Sequence, residues 1–410
     1  MSYGKLRANF AEVGGDAPVY STANTYTAGT PFNSQTLFSY TTTNNNPDLR
    51  PERNTTYEAG AELAFLHNRL GLDVTYYHSR LSDQIMPITP SAASGFTSFY
   101  VNGGTIQNQG VELTLNAVPV RTRHFSWNIV LNWSKNDNKV ISLYGGQPSY
   151  TIASYQNGIQ LVAETGKSYG ILRGTDYQYL HGQRLDSNGY PIKATNSLSD
   201  IGNVNPDWLG SITNTVTYKR FSLSFLIDVK KGGDVYSLDQ DYGSWSGVLP
   251  STAGKNSLGN PIRSPLSDGG GVLLSGVTRD GKPNTTLVDA YDINVDGSAF
   301  PFGSVNSLAA RSYVYDAGYI KLRELSLAYS LPTSVFGKQN VIKGIDLSLS
   351  GRNLWIIHKN LPYADPEQGA ASTTPNSTTP IVYNPNASIG YQTGVYPSVR
   401  NLAFNVKFKF

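Results

Sequence analysis

The strongest constraint on this chain is an alternation of apolar and polar residues with a period of two, repeated in runs of about ten residues. Tyr57, Ala59, Ala61, Leu63 and Phe65 alternate with Glu58, Gly60, Glu62 and Ala64. After His67-Asn68-Arg69, Leu70, Leu72, Val74 and Tyr76 alternate with Gly71, Asp73, Thr75 and Tyr77. Successive side chains of a strand point to opposite faces, so each run has one apolar face and one polar face. The pattern returns over 110–117, 125–134, 208–218, 221–229, 325–329, 345–349 and 402–410, and more weakly over 5–14. No apolar run approaches the roughly 18 residues of a membrane helix. The chain is all-β, with ten strands of this kind.

The connections alternate in length. Short turns fall near 67, 121, 219 and 335, and long stretches cover 14–54, 82–105, 136–206, 231–318 and 357–397. Structureless loops of that size are foreign to a compact soluble domain. Lipid leaves no solvent partner for backbone N–H and C=O groups, so a spanning sheet must close, apolar outside and free to be wet inside. Dyad strands with aromatics at their ends, short turns on one side and long loops on the other therefore predict a transmembrane antiparallel β-barrel with short periplasmic turns and long extracellular loops. The region 168–191 holds either two further spanning strands or a hairpin within a loop, giving ten or twelve in all. Composition agrees. Charged residues are 15% of the 410, against about 25% in soluble domains, while Gly 40 and Tyr 27 are abundant. A net charge of +3 gives no field for nucleic acid. Cys 0 excludes disulfides, thiolate metal sites and a cysteine nucleophile. The first twenty residues lack the basic and apolar regions of a signal peptide.

Several blocks carry a family resemblance. NPDLRPE at 46–52 with the following Tyr57-Glu58-Ala59-Gly60 resembles a barrel strand of TonB-dependent outer-membrane receptors. NRLGLDVTYYHSRLSDQI (68–85), GVELTLNAVPV (110–120), FSWNIVLNWSKNDNKV (125–140) and GNVNPDWLGSITNTVTYKRFSLSFLIDVKKGGDVYS (202–237) resemble the SusC/RagA branch. So do YIKLRELSLAYSLP (319–332), GRNLWIIHKNLPYADPE (351–367) and the ending YPSVRNLAFNVKFKF. The resemblance implies that residues 1–410 are the C-terminal part, about 10–12 strands, of a 22-stranded barrel. The family's signal peptide, carboxypeptidase-like domain, TonB box and plug domain have no counterpart in these residues. It further implies energised import of oligosaccharides or peptides across the cell outer membrane of a Gram-negative, Bacteroidetes-like bacterium, with a SusD-like surface lipoprotein as partner and TonB acting on a preceding N-terminal region. It implies no enzyme activity. As a part of a barrel, the chain is expected to form an open, curled sheet, its first and last strands unpaired with each other. The alternatives are a small self-contained porin and a secreted glycan-binding β protein.

Particular residues follow. Leu402, Phe404, Phe408 and the terminal Phe410 share a face and suit a last strand offered to barrel-assembly machinery, or simply lipid contact. Tyr76, Trp127, Trp133, Tyr218, Phe221 and Tyr329 suit interfacial girdles, where an apolar ring with a polar tip fits the headgroup boundary. Among Asn, Ser, Thr and Gly in the long loops stand Tyr100, Tyr155, Tyr242, Trp245 and Tyr363, able to stack on a glycan or peptide. Asp292, Asn294 and Asp296 match the opening of a calcium loop, but the twelfth position is Gly303 and not the bidentate Glu, so an Asx-rich turn is expected and no cofactor. The five histidines are dispersed, and Gly166-Lys167-Ser168 lacks the glycine and the strand-to-helix context of a phosphate loop. No catalytic constellation and no metal site emerges.

Overall fold

The computed structural model describes residues 1–410 except 89, 196–197, 293–299, 302–307, 333–334, 336–340, 368–388 and 395–397; for 291–292 and 300–301 it describes the backbone alone. Ten long strands form one antiparallel sheet in which every strand pairs with its neighbours in sequence. They are β1 (Tyr3–Gly15), β2 (Glu52–Phe65), β3 (Leu70–Ser82), β4 (Gly104–Arg121), β5 (Phe125–Leu143), β6 (Pro206–Tyr218), β7 (Phe221–Gly232), β8 (Tyr319–Ser330), β9 (Gly344–Lys359) and β10 (Asn401–Lys409). β1 and β10 are the two ends of this order and do not pair with each other, so the sheet is open. A small closed porin needs the missing ladder, and a sandwich needs two packed sheets of comparable size; neither describes this wall.

Register puts the apolar rows on one face. Leu63 stands opposite Leu72, Leu72 opposite Leu115, and Leu115 opposite Leu131, which faces Ile212, itself opposite Ile227. The row continues from Leu223 to Leu327, Leu349 and Phe404. Leu6, Tyr57, Leu327, Leu349 and Phe404 are 83%, 56%, 50%, 55% and 66% exposed, an exposure that only a hydrocarbon surround makes favourable. On β6 the apolar face extends from Trp208 to Tyr218, about ten residues at ~3.3 Å each, which a tilt of roughly 40° reduces to about 25 Å, the height of a barrel's apolar band.

Two residues interrupt that row on β6, Gly210 and Asn214, and an indole covers each. The Trp208 ring lies against Gly210. Trp127 Nε1 donates to Asn214 Oδ1 at 3.1 Å, and Asn214 is buried. A lone amide on the lipid face is tolerable because this bond satisfies it.

The region 168–191 does not add to the wall. Ile171–Gly174 belongs to a separate four-stranded sheet with Ser149–Ser154, Gln160–Glu164 and Ser199–Asn203, and two small hairpins follow it. Several wall strands also run beyond their alternating stretch. β5 continues as far as Leu143, paired with β4 back to Gly104. Beyond the apolar band polar residues stand on both faces and loop contacts bury Ile106 and Val140, so the ladder persists while the hydrophobic alternation ends. The largest cluster of buried apolar side chains lies in the loops: Tyr155, Ile159, Leu172, Ile201, Tyr236 and Tyr313 are among its members.

Candidate functional site

The polar face of the wall is built from long side chains lying across glycines. Arg7 crosses Gly60 to reach the strand beyond, where Nη1 meets Asp73 Oδ2 at 3.0 Å, Nη2 meets Asp73 Oδ1 at 2.5 Å, and Thr75 accepts a further bond. A Cβ at position 60 would stand 2.7 Å from Arg7 Nε, so the crossing requires glycine. Tyr77 likewise crosses Gly110 and donates to Asn136 Oδ1 at 2.8 Å. Further round, Thr114 donates to Asn132 at 2.9 Å and the hydroxyls of Thr215 and Ser224 meet at 3.1 Å. Hydroxyl and amide groups dominate, which gives a polar solute donors and acceptors without a strong charge.

At the long-loop end an ion-pair network ties the wall to the loop after β9. Register shifts on both sides leave Arg323 of β8 without a cross-strand partner. Its Nε donates to Asp228 of β7 at 2.7 Å, and its Nη2 pairs with Glu367 and donates to Tyr319 Oη at 3.0 Å. Lys321 Nζ lies 2.5 Å from Asp365 Oδ1 and 2.6 Å from Glu367 Oε2, with its side chain 4% exposed and that of Asp365 1%. Ser398 Oγ donates to Asp365 Oδ2 at 2.8 Å, and Leu361 is fully buried with Val235 and Ala317. Burial pushes the Glu367 carboxyl up, but hydrogen bonds from Arg323 and Lys321 outweigh it and hold it at about 2.

Three loops fold together above the wall. Tyr155 stacks on Tyr391 (centroids 4.4 Å apart, 14° between planes), and Tyr391 on Tyr236 (5.6 Å, 18°). Tyr236-Ser237 pairs in parallel with Tyr391-Gln392. Helix α1 (Leu238–Trp245) starts at Ser237, whose hydroxyl accepts from Gln240 N at 3.2 Å. Gln392 Nε2 donates to Asp239 Oδ2 at 2.5 Å, and Gly394 N to Asp239 Oδ1 at 2.8 Å. Tyr236 Oη and Asn157 Nδ2 both donate to Asp241, the latter at 2.7 Å; burial raises the Asp241 carboxyl all the same.

The residues marked in the sequence fall in different places. Tyr155 is buried, its hydroxyl donating to Ile389 O at 3.3 Å and pushed up to about 12 by burial, so it packs the loop core. Tyr242 and Trp245 are half-buried neighbours on α1, ring centroids 5.9 Å apart. Tyr363 is 59% exposed, in the turn that leads to Asp365. Tyr100 is half-buried in Ser98–Asn102, paired with Pro87 and far in sequence from the others. Leu402, Phe404 and Phe408 are exposed on the lipid face of β10, and Phe410 follows its last residue. Asn294 and Asp296, and the side chain of Asp292, lie outside the described residues. Sequence reasoning missed Lys321, Arg323, Asp365 and Glu367. The signal was present as two cations two apart on one strand and two carboxylates two apart in a loop.

A one-sheet wall with a lipid-exposed apolar face, a hydrogen-bonding inner face and a folded loop cap at one end defines a segment of a transmembrane β-barrel. Residues 3–265 match the family model described as TonB dependent receptor-like, beta-barrel, and the chain belongs to that family. TonB-dependent receptor P3 of Formosa agariphila is 26% identical over 394 residues, covering 89% of this chain and 35% of that protein. TonB-dependent receptor SusC of Bacteroides thetaiotaomicron is 26% identical over 314 residues, covering 73% of this chain and 28% of that protein. The chain thus spans about a third of the length of relatives such as P3. Among solved structures, the RagAB peptide importer in its closed-closed state superposes with a TM-score of 0.70 at 20% identity, over 99% of this chain and 41% of that one, a likeness of fold. The SusC/RagA resemblance read from the strand blocks is borne out.

Proposed function

We propose that this chain is the C-terminal part of the barrel of a SusC/RagA-like, TonB-dependent transporter of the Gram-negative outer membrane, and that the whole protein imports oligosaccharides or peptides. In this reading a SusD-like surface lipoprotein covers the long-loop end, and TonB acts through a plug region outside these residues. The observation that carries it is the joining of a polar wall to a folded cap. The inner face offers hydroxyls, amides and ion pairs to a solute, while loops from β5 to β6, β7 to β8 and β9 to β10 share one core at a single end. Passage along such a wall is recognition and release, with no bond made or broken. RagAB is a peptide importer, and hydroxyls and amides beside paired charges suit a peptide and an oligosaccharide alike. Deleting the gene from its host and growing the strain on single oligosaccharide or peptide sources is expected to abolish growth on one class. The tagged full-length protein, extracted in detergent, is expected to retain a lipoprotein. Undiminished growth on every source, with no lipoprotein retained, overturns the reading.

A further inference from the structure

The short-turn end of the wall carries a second, unrelated concentration of chemistry. The turns β4–β5 and β6–β7 lie side by side, joined by the Lys219 N–H donating to His124 O at 2.7 Å. Between them opens a cavity of about 680 Å³. Its cationic side is Arg123, Lys219 and Arg220, beside His124 and with Arg121 close by in sequence, all exposed. Neither 117–127 nor 215–227 contains an Asp or Glu, and among the described residues Arg123, Lys219 and Arg220 make no ion pair. Cations that line one cavity with no carboxylate partner repel one another unless an anion lies between them.

The other side of the cavity is aromatic and faces lipid. Tyr218 stands opposite Phe221, and Phe221 opposite Tyr329, with the last two rings 4.5 Å apart. These three end the apolar row, at the depth where rings mark the headgroup boundary. Lys219 Nζ lies 5.4 Å from the Tyr218 ring centroid, which turns its charge back over that boundary. A free anion would use the cations and leave the aromatic wall without a role. A lipid uses both, its phosphate among the guanidinium and ammonium groups and its glycerol and first methylenes on the rings.

We propose that Arg123, Lys219 and Arg220, backed by Tyr218, Phe221 and Tyr329, form a binding site for the phosphate headgroup of an anionic phospholipid at the short-turn end of the wall. The site takes its lipid from the membrane leaflet at that end, and its existence is independent of what the barrel transports.

The test uses the full-length protein in an uncharged detergent, with dioleoylphosphatidylglycerol added and retention read by native mass spectrometry alongside thermal melting. The lipid is expected to be retained and to raise Tm, whereas dioleoylphosphatidylcholine is retained less. Replacing the three cations together (Arg123→Ser, Lys219→Ser, Arg220→Ser) is expected to weaken retention roughly a hundredfold, at about fivefold per cation. The charge-conserving set Arg123→Lys, Lys219→Arg, Arg220→Lys is expected to keep most of it, and Lys219→Ser alone gives the single-step loss should the triple variant fold poorly. Equal retention by wild type and the serine variants overturns the site. Millimolar inorganic phosphate raising Tm as much as the lipid overturns the lipid assignment in favour of a free-ion site.

Discussion

Lys321 and Asp365 join wall and loop as a buried pair of opposite charges, and their chemistry sets what each substitution does. Two charges taken out of water are tolerated when each is paired and hydrogen-bonded, and removal of one partner leaves the other exposed to the full desolvation penalty. Lys321→Met takes from Asp365 its cation, leaving it the hydrogen bonds from Ser398 and the Glu367 N–H, and leaves Glu367 with Arg323 and the Tyr319 hydroxyl. The expected cost is about 3–5 kcal/mol, read as a lower melting temperature and faster proteolysis at 360–367. In the double variant Lys321→Met, Asp365→Leu the cost is expected to fall well short of the sum of the single costs, since the pair is lost as a unit. The acid response has a definite sign. Glu367 titrates below its ordinary value of 4.5, at about 2. The folded state therefore binds this proton less readily than the unfolded state, and the stabilisation is complete above pH 4.5 and fades as pH falls toward 2. Melting measured from pH 6 downward, with Glu367→Gln as comparison, is expected to converge at the acid end. Equal acid slopes for the two proteins would remove Glu367 from the stabilising part of the ion-pair network.

At the scale of the strand, each wall element is specified by a row of apolar residues, and interruptions in a row identify where a neighbour compensates. Asn214 on β6 is the informative case, because Trp127 of the adjacent strand both shields it and donates to it. Trp127→Phe removes the donor and leaves the Asn214 amide buried without its partner, at an expected cost of about 1–3 kcal/mol. Adding Asn214→Leu is expected to restore much of the loss, since both polar groups are then gone; a double variant no more stable than Trp127→Phe would show that the bond is incidental. This also marks the limit of what the sequence discloses. The wall was legible because lipid and lumen impose a two-residue period, and the rows at 57–65, 125–133 and 221–229 occupy the register that the alternation predicts. The upper half of β5 was not, because from Lys135 to Asn138 polar residues stand on both faces and Val140 is buried by the loop at Gly166–Lys167, so the hydrophobic alternation ends while the hydrogen-bond ladder goes on. Nor was the role of Tyr155. Composition around it reads as a wet loop, and its burial depends on Tyr391, 236 residues away in sequence.

For the molecule as a whole, the question is whether three loops that share a core also behave as one body. Tyr391 is the middle ring of the stack, 4% exposed, with Tyr155 from the loop after β5 on one side and Tyr236 from the loop after β7 on the other. Its neighbour Gln392 holds Asp239 of α1, and the segment as a whole comes from the loop after β9. Three chain segments thus depend on one side chain that none of them could replace. Tyr391→Ala opens a cavity with partners on every side, for which about 3–5 kcal/mol is the usual cost when a large aromatic is removed from a core. If the cap is cooperative, amide exchange is expected to accelerate together at 155–172, 236–245 and 310–313, because local unfolding proceeds in contiguous units. Exchange in the paired centres of β3 to β7 is expected to stay as it was, since their ladders do not pass through the cap. Acceleration confined to 389–394 would mean that the loops are separate pieces resting on one another.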